Sequence, residues 1–232
     1  VDLEVQRTDE PGVSSFDVTI RDGSGRDRAL TLLYAVPVAP EGTRWLEDPR
    51  RSVAVEAGRE YANTSRTQSR VGANGRMSVY PFGAVAREGR GIALGLDMAR
   101  PAFYRTGYNA GTGELFLAFD VALTREKSEA RLAFRRFEFD AAHEFRGALD
   151  AYYRLFPAAF ERRVARQGLW MPFSAISKVK DWQDFGFRFK EGNDETAWDD
   201  EHDVLTFRYT EPMTWWMPMP AEMPRTLEAA SA

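Results

Sequence analysis

The stretch 131-RLAFRRFEFDAAHEFRGALDAYYRLF-156 changes its hydrophobic period part-way along, and that change divides the chain. Up to Asp140, apolar and polar residues alternate with the period of two expected of a half-buried strand. Beyond it, Phe145, Leu149, Tyr152, Tyr153 and Phe156 recur at helical spacings, and Asp140 is placed to cap the helix. Pro157 then stands where a second helix would start, and AAFERRVARQ runs to Gly168, a natural residue just past a helix end. The sequence therefore predicts a two-helix linker over 140–168.

Upstream, FDVTIRD (16–22) leads into the turn GSG at 23–25. RALTLLYAVPV (28–38), SVAVEA, MSVYPFGAVAR, GIALGLD and ELFLAFDVAL (114–123) follow as short extended runs, and Gly107, Gly111 and Gly113 mark a connection between FYRTGY and ELFLAF. Many short strands, glycine-rich turns and almost no helical periodicity predict an antiparallel β-sandwich over 1–139.

Downstream, LWMPF and VLTFRYTEP read as short buried strands, apolar on both faces, which suits a parallel sheet covered by helices. Residues 169–232 are then the opening of a parallel α/β (TIM-like) barrel. A complete barrel takes roughly 200 residues or more, so this segment begins one without closing it. The expected fold class is mixed β and α/β.

Composition narrows the functions. The formal charge is −4 and the arginines are spread along the chain, so no basic stripe exists to neutralise phosphates and nucleic acid is not an expected partner. No apolar run reaches the roughly 18–20 residues that span a bilayer, so no membrane partner is expected either. The absence of cysteine excludes disulfides, thiolate catalysis and thiolate metal sites. It leaves the compartment open; the expectation leans to a periplasmic or secreted protein. The chain opens VDLEVQ without Met and is read as a processed product or a fragment.

The candidate chemistry gathers after the linker. Glu211 lies two residues beyond Tyr209, the last residue of a strand-like run, where a carboxylate can reach sugar hydroxyls. Five of the six tryptophans follow the linker, namely Trp170, Trp182, Trp198, Trp215 and Trp216. Indole planes suit the C–H faces of sugar rings, so Trp198, Trp215 and Trp216 join Glu211 as candidate substrate-binding residues, while Trp170 inside LWMPF reads as core. The acidic stretch 191-EGNDETAWDDEHD-203 offers oxygen ligands of the kind calcium prefers. Its spacing fits no EF-hand, a solvated loop is the favoured reading, and no metal is expected. Of the two histidines, His143 reads as structural, and the carboxylates around His202 favour its charged form. Neither belongs to an HExxH pattern or a recognisable triad. In the sandwich, 61-YANTSRTQSR-70 and 104-YRTGYNAGTG-113 carry polar planar groups suited to sugars and equally usual in exposed turns.

The sandwich strands, the linker AYYRLFPAAFERRVARQG, then GLWMPF and VLTFRYTEP, together resemble glycoside hydrolases in which a galactose-mutarotase-like β-sandwich passes through linker helices into a (β/α)8 barrel. The resemblance is architectural and carries no catalytic signature. It implies hydrolysis of a glycosidic bond in an oligo- or polysaccharide, with the main catalytic carboxylates outside this chain, so no catalytic residue is assigned. It implies a carbohydrate ligand and no cofactor. Two alternatives stand beside it: a non-catalytic carbohydrate-binding or adhesion module, and a polysaccharide lyase fragment. The oligomeric state is left open.

Overall fold

The computed structural model describes residues 1–66, 76–209, 221–222 and 225–231. Its strands begin with β1 (Asp2–Glu10), β2 (Val13–Arg21), β3 (Arg28–Pro37), β4 (Arg44–Asp48), β5 (Arg51–Ala54) and β6 (Glu60–Ala62). They continue with β7 (Thr64–Arg66), β8 (Arg76–Ser78), β9 (Phe82–Arg87), β10 (Arg90–Leu96), β11 (Tyr104–Asn109), β12 (Glu114–Leu123) and β13 (Glu129–Asp140). After the helix α1 (Phe145–Leu155) come β14 (Leu169–Pro172), β15 (Phe187–Glu191), α2 (Thr196–Glu201), β16 (Leu205–Phe207) and α3 (Leu227–Ser231). The chain divides into two compact units, Val1–Glu161 and Arg162–Ala232.

The first unit is sandwich-like. One antiparallel sheet has the order β1-β2-β13-β10-β9-β4-β5, and the other has the order β3-β12-β11-β6. The reason lies in the alternation. In β2, Phe16, Val18 and Ile20 are buried while Ser15, Asp17 and Thr19 between them stay partly open. Phe16 stacks on Phe134 of β13 at 4.6 Å, and Tyr34 of β3 reaches both rings from the facing sheet at 4.8 and 4.9 Å. Leu115, Leu117 and Phe119 of β12 complete this layer. Each such side chain withdrawn from water contributes about 1.5–3 kcal/mol.

The seven-stranded sheet is buried on its second face as well. Leu132 and Phe134 of β13 point into the sandwich, whereas Phe137 and Phe139 meet α1. That helix lays Phe145, Ala148 and Tyr152 against the sheet, three residues of one stripe. The approach is close because Gly95 of β10 has no side chain: a Cβ there would sit 3.0 Å from the Tyr152 ring. The Tyr152 hydroxyl then donates to the Leu96 carbonyl at 2.8 Å. Tyr153, expected on the same face, is exposed and packs on Phe160, the rings tilted with centroids 4.1 Å apart.

Two expectations are corrected here. Asp140 does cap a turn, its side chain accepting from the Ala142 N–H, but the turn is a 3-10 turn and α1 starts only after Glu144. Pro157 opens another 3-10 turn, Pro157–Ala159, and no second helix follows in 160–168. Most of those residues are exposed, so they bury no apolar face. A ten-residue helix without tertiary packing is marginal in water, and Arg162 instead donates forward to the carbonyls of Val164 and Ala165. The linker is thus a one-helix element docked on the sandwich followed by an irregular stretch.

The fold class is corrected too. The protein is mostly β, with 48% strand and 16% helix, and the opening of a TIM-like barrel is not what forms. In the second unit, β14, β15 and β16 make a small three-stranded parallel sheet. They are 4, 5 and 3 residues long, and α2, between β15 and β16, has only 6. Barrel strands are buried on both faces under long helices, whereas β14 leaves Leu169 and Trp170 open to water. No helix among the described residues is long and apolar enough to cross a membrane.

Candidate functional site

The two faces of the parallel sheet are chemically opposite, and the pleat separates them. Register pairs Trp170 with Phe189 and Leu205, then Pro172 with Glu191 and Phe207. Successive side chains in a strand alternate sides, so these six lie on one face. Lys190 and its partner Thr206 lie on the other.

The Lys190 face is closed by α2. The ammonium is fully buried and donates to Asp199 Oδ2 at 3.0 Å and to the Asp194 carbonyl at 2.5 Å. Glu195 Oε1 lies 3.5 Å away. Thr206 Oγ1 donates to the same Asp199 oxygen at 2.9 Å, while Asp199 Oδ1 is buried with no hydrogen-bond partner. Loss of water around the ammonium pulls the Lys190 pKa down, but the hydrogen bonds and charges of Asp199 and Asp194 outweigh this and leave it above the ordinary lysine value. The hydrogen bond from Lys190 holds the Asp194 carboxyl below its usual range. Burial pushes Glu195 up, yet the Ser177 hydroxyl and N–H and the nearby ammonium bring it down overall. A lysine that stays charged among carboxylates is a clamp between β15 and α2, not a nucleophile.

The opposite face is aromatic and open. Trp170 packs on Phe207 at 4.8 Å and on Phe189 at 6.3 Å, yet Trp170 is 45% exposed and Phe207 40%. At the carboxyl ends of the strands the row continues. Phe173, 62% exposed, meets Tyr209 edge-on at 5.1 Å. Its N–H donates to the Glu191 carbonyl at 2.9 Å, and its backbone takes a left-handed φ of 49°, a conformation that is uncommon for a bulky residue and recurs at functional sites. Glu191 ends β15 in this row, partly open, and its carboxylate makes no hydrogen bond or ion pair to any described residue. The arrangement is an exposed aromatic surface with one carboxylate beside it, at the carboxyl ends of the strands.

The sequence candidates fall in several places. Glu211, Trp215 and Trp216 lie outside the described residues. Trp198 is on α2, where its ring stacks on His202 at 4.0 Å and meets Trp182 at 4.9 Å, so it is not grouped with the strand aromatics. His202 Nδ1 is 2.8 Å from the Trp198 carbonyl; that carbonyl and the indole ring, rather than carboxylates, are its immediate surroundings. His143 ends the 3-10 turn before α1.

The acidic stretch is not one solvated loop. Asp194, Glu195 and Asp199 surround Lys190, and Asp203 pairs with Arg166 at 2.8 Å and Arg188 at 3.7 Å. No group of carboxylates and histidines among the described residues is arranged to hold a metal ion. In the sandwich, the Tyr104 and Tyr108 hydroxyls donate to the carbonyls of Tyr80 and Val38, which ties them inside the fold. A surface groove of about 850 Å³ at the β9–β10 turn is bordered by Arg87, Glu88, Arg90, Glu138 and Asp140; Phe139 is the lone aromatic in its lining.

Sequence reasoning missed Trp170, Phe173, Glu191 and Phe207 as one surface. The signal was present in 187-FRFKE-191, whose alternation sets Phe187, Phe189 and Glu191 on one side. No protein-family model matches the chain, and no curated protein matches it. The geometry alone carries the functional reading.

Proposed function

We propose that the chain binds carbohydrate at the carboxyl ends of β14, β15 and β16. The observation that carries this reading is the exposed pair Trp170–Phe207, extended by Phe173 and Tyr209 and rimmed by Glu191. A pyranose lays its C–H face on such planes, and a carboxylate at the edge accepts from its hydroxyls. The sandwich-like first unit supports the reading more loosely, as the coarse feature in common with the galactose-mutarotase-like domains of carbohydrate-active enzymes.

Glycoside hydrolysis is the second reading, favoured by Glu191 alone. It needs two carboxyl groups, about 5 Å apart for retention or about 6.5–9.5 Å for inversion, and Glu191 is the one carboxylate in these register rows. The binding reading is therefore preferred for this chain.

Isothermal calorimetry with neutral hexasaccharides tests the proposal. Trp170→Ala and Phe207→Ala are each expected to weaken binding about tenfold or more, with far-ultraviolet circular dichroism unchanged. Wild-type affinity in both variants overturns the proposal, and release of reducing ends by the wild-type chain would promote the hydrolase reading.

A further inference from the structure

The charge on the aromatic face is one-sided, and this deepens the carbohydrate reading on which it rests. The rows Trp170–Phe189–Leu205 and Pro172–Glu191–Phe207 hold a single ionisable group, Glu191. Every cation of the three strands is turned away or occupied. Lys190 is buried on the far side with Asp199, and Arg188, also of that side, is paired to Asp203.

The acids of the neighbouring stretch are equally informative. Asp194, Glu195, Asp199 and Asp203 are all engaged with basic groups, and Asp200 and Glu201 are exposed on α2. Among the described residues, Glu191 is the carboxylate of these rows, and its side chain makes no ion pair.

We propose that Glu191 is the specificity-determining residue of this site, admitting sugars without acidic groups and rejecting uronic acids. A hydroxyl donating to a carboxylate makes a charge-assisted hydrogen bond, stronger than one between neutral groups. A uronate carboxylate in the same place meets a like charge with no cation of the three strands to offset it. The same geometry that holds a neutral or amino sugar therefore repels an acidic one.

Calorimetry on the full chain, at low and at moderate salt, uses cellohexaose, xylohexaose, chitosan hexamer and a hexamer of galacturonic acid as probes. The variants are Glu191→Gln and Trp170→Ala. Wild type is expected to bind at least one neutral or amino hexamer and to bind the galacturonate at least about tenfold more weakly than that hexamer. Glu191→Gln is expected to weaken the neutral sugar about three- to tenfold and to strengthen the galacturonate, with the galacturonate gap in wild type narrowing as salt rises. If Trp170→Ala abolishes binding but Glu191→Gln leaves the neutral-to-acidic ratio unchanged, the role of Glu191 is overturned and the carbohydrate site stands. If no hexamer binds wild type, or Trp170→Ala binds as wild type does, the site itself falls and this inference with it.

Discussion

Replacing Lys190 with Met would remove a large share of the second unit's margin of stability. The substitution keeps the length of the side chain and removes its charge, leaving Asp199 fully buried with Thr206 as the remaining donor to its carboxylate. Breaking a buried ion pair by deleting one partner costs about 3–5 kcal/mol. A unit of this size has a total stability of about 4–10 kcal/mol at the usual ~0.05–0.15 kcal/mol per residue, so the loss is a large share. Five of the six tryptophans belong to this unit and only Trp45 to the first, so urea unfolding followed by tryptophan fluorescence reports chiefly on it. With a urea dependence of about 1 kcal/mol per molar, the midpoint falls by about 3 M, or the unit is unfolded from the start, while circular dichroism retains the first unit's strand signal. The double variant Lys190→Met with Asp199→Leu removes both charges and the unpaired Asp199 Oδ1, and recovers most of the loss. A midpoint for Lys190→Met within about 0.5 M of wild type, or a double variant no better than the single, refutes the clamp.

The same cluster fixes a pH dependence. Lys190 is raised above its ordinary 10.5, so its contribution is complete below that value and is lost only as pH climbs through the raised one. Asp194 and Glu195 are lowered from 3.8 and 4.5, so theirs is complete above those values and is lost as pH falls through the lowered ones. Fluorescence-monitored stability is expected to hold level between about pH 5 and 10 on account of these groups, and an acid loss beginning near pH 6 in wild type would contradict the assignment.

Further tests concern the first unit. Gly91→Ala places a Cβ 2.1 Å from the Phe139 ring, and overpacking of this kind costs about 1–3 kcal/mol, read as a melting point lower by several degrees; an unchanged melting point counts against the packing of Phe139 over β10. Glu144 holds φ 48° and ψ −125° while its carboxylate accepts from Arg44 and Ser52. Glu144→Gly relieves the backbone and Glu144→Ala does not, so alanine is expected to be the less stable by about 1 kcal/mol, and the reverse order in urea would be incompatible with that conformation. Burial pushes the Tyr104 hydroxyl up to about 12. Its stabilising contribution is complete below the ordinary value of 10 and fades as pH rises through about 12. Burial raises Tyr152, Tyr34 and Tyr108 as well, so absorbance at the phenolate band is expected to show several late-titrating tyrosines, one fewer in Tyr104→Phe.

The sandwich was legible because strands such as β2 and β12 follow the two-residue period of a sheet with one face on the core. The run 114–123 became β12 and 131–140 most of β13. The helix α1 was legible from its apolar stripe, although Tyr153 faces out. The second helix was not, because AAFERRVARQ has helical propensity without a surface to bury, and propensity alone does not hold ten residues. The barrel was inferred from LWMPF and VLTFRY as strands buried on both faces. Burial is a property of neighbours rather than of a pentapeptide, and Leu169, Trp170 and Phe173 are in fact exposed. Glu191 was absorbed into the acidic stretch by its sequence neighbours; strand alternation assigns it instead to the aromatic row, away from Asp194 and Asp199. Glu211, Trp215 and Trp216 lie outside the described residues.

The position of β13 has a consequence for synthesis. It joins β2 to β10 in the middle of the seven-stranded sheet, yet it is the last strand of its unit to leave the ribosome. Until it emerges, the β1–β2 hairpin has no neighbour in its own sheet, and Phe16, Val18 and Ile20 have nothing from β13 to rest on. A nascent chain arrested before Glu129 would present that hairpin's bare edge to chaperones, and release of one further segment would cover the β2 edge and join the hairpin to the rest of the sheet.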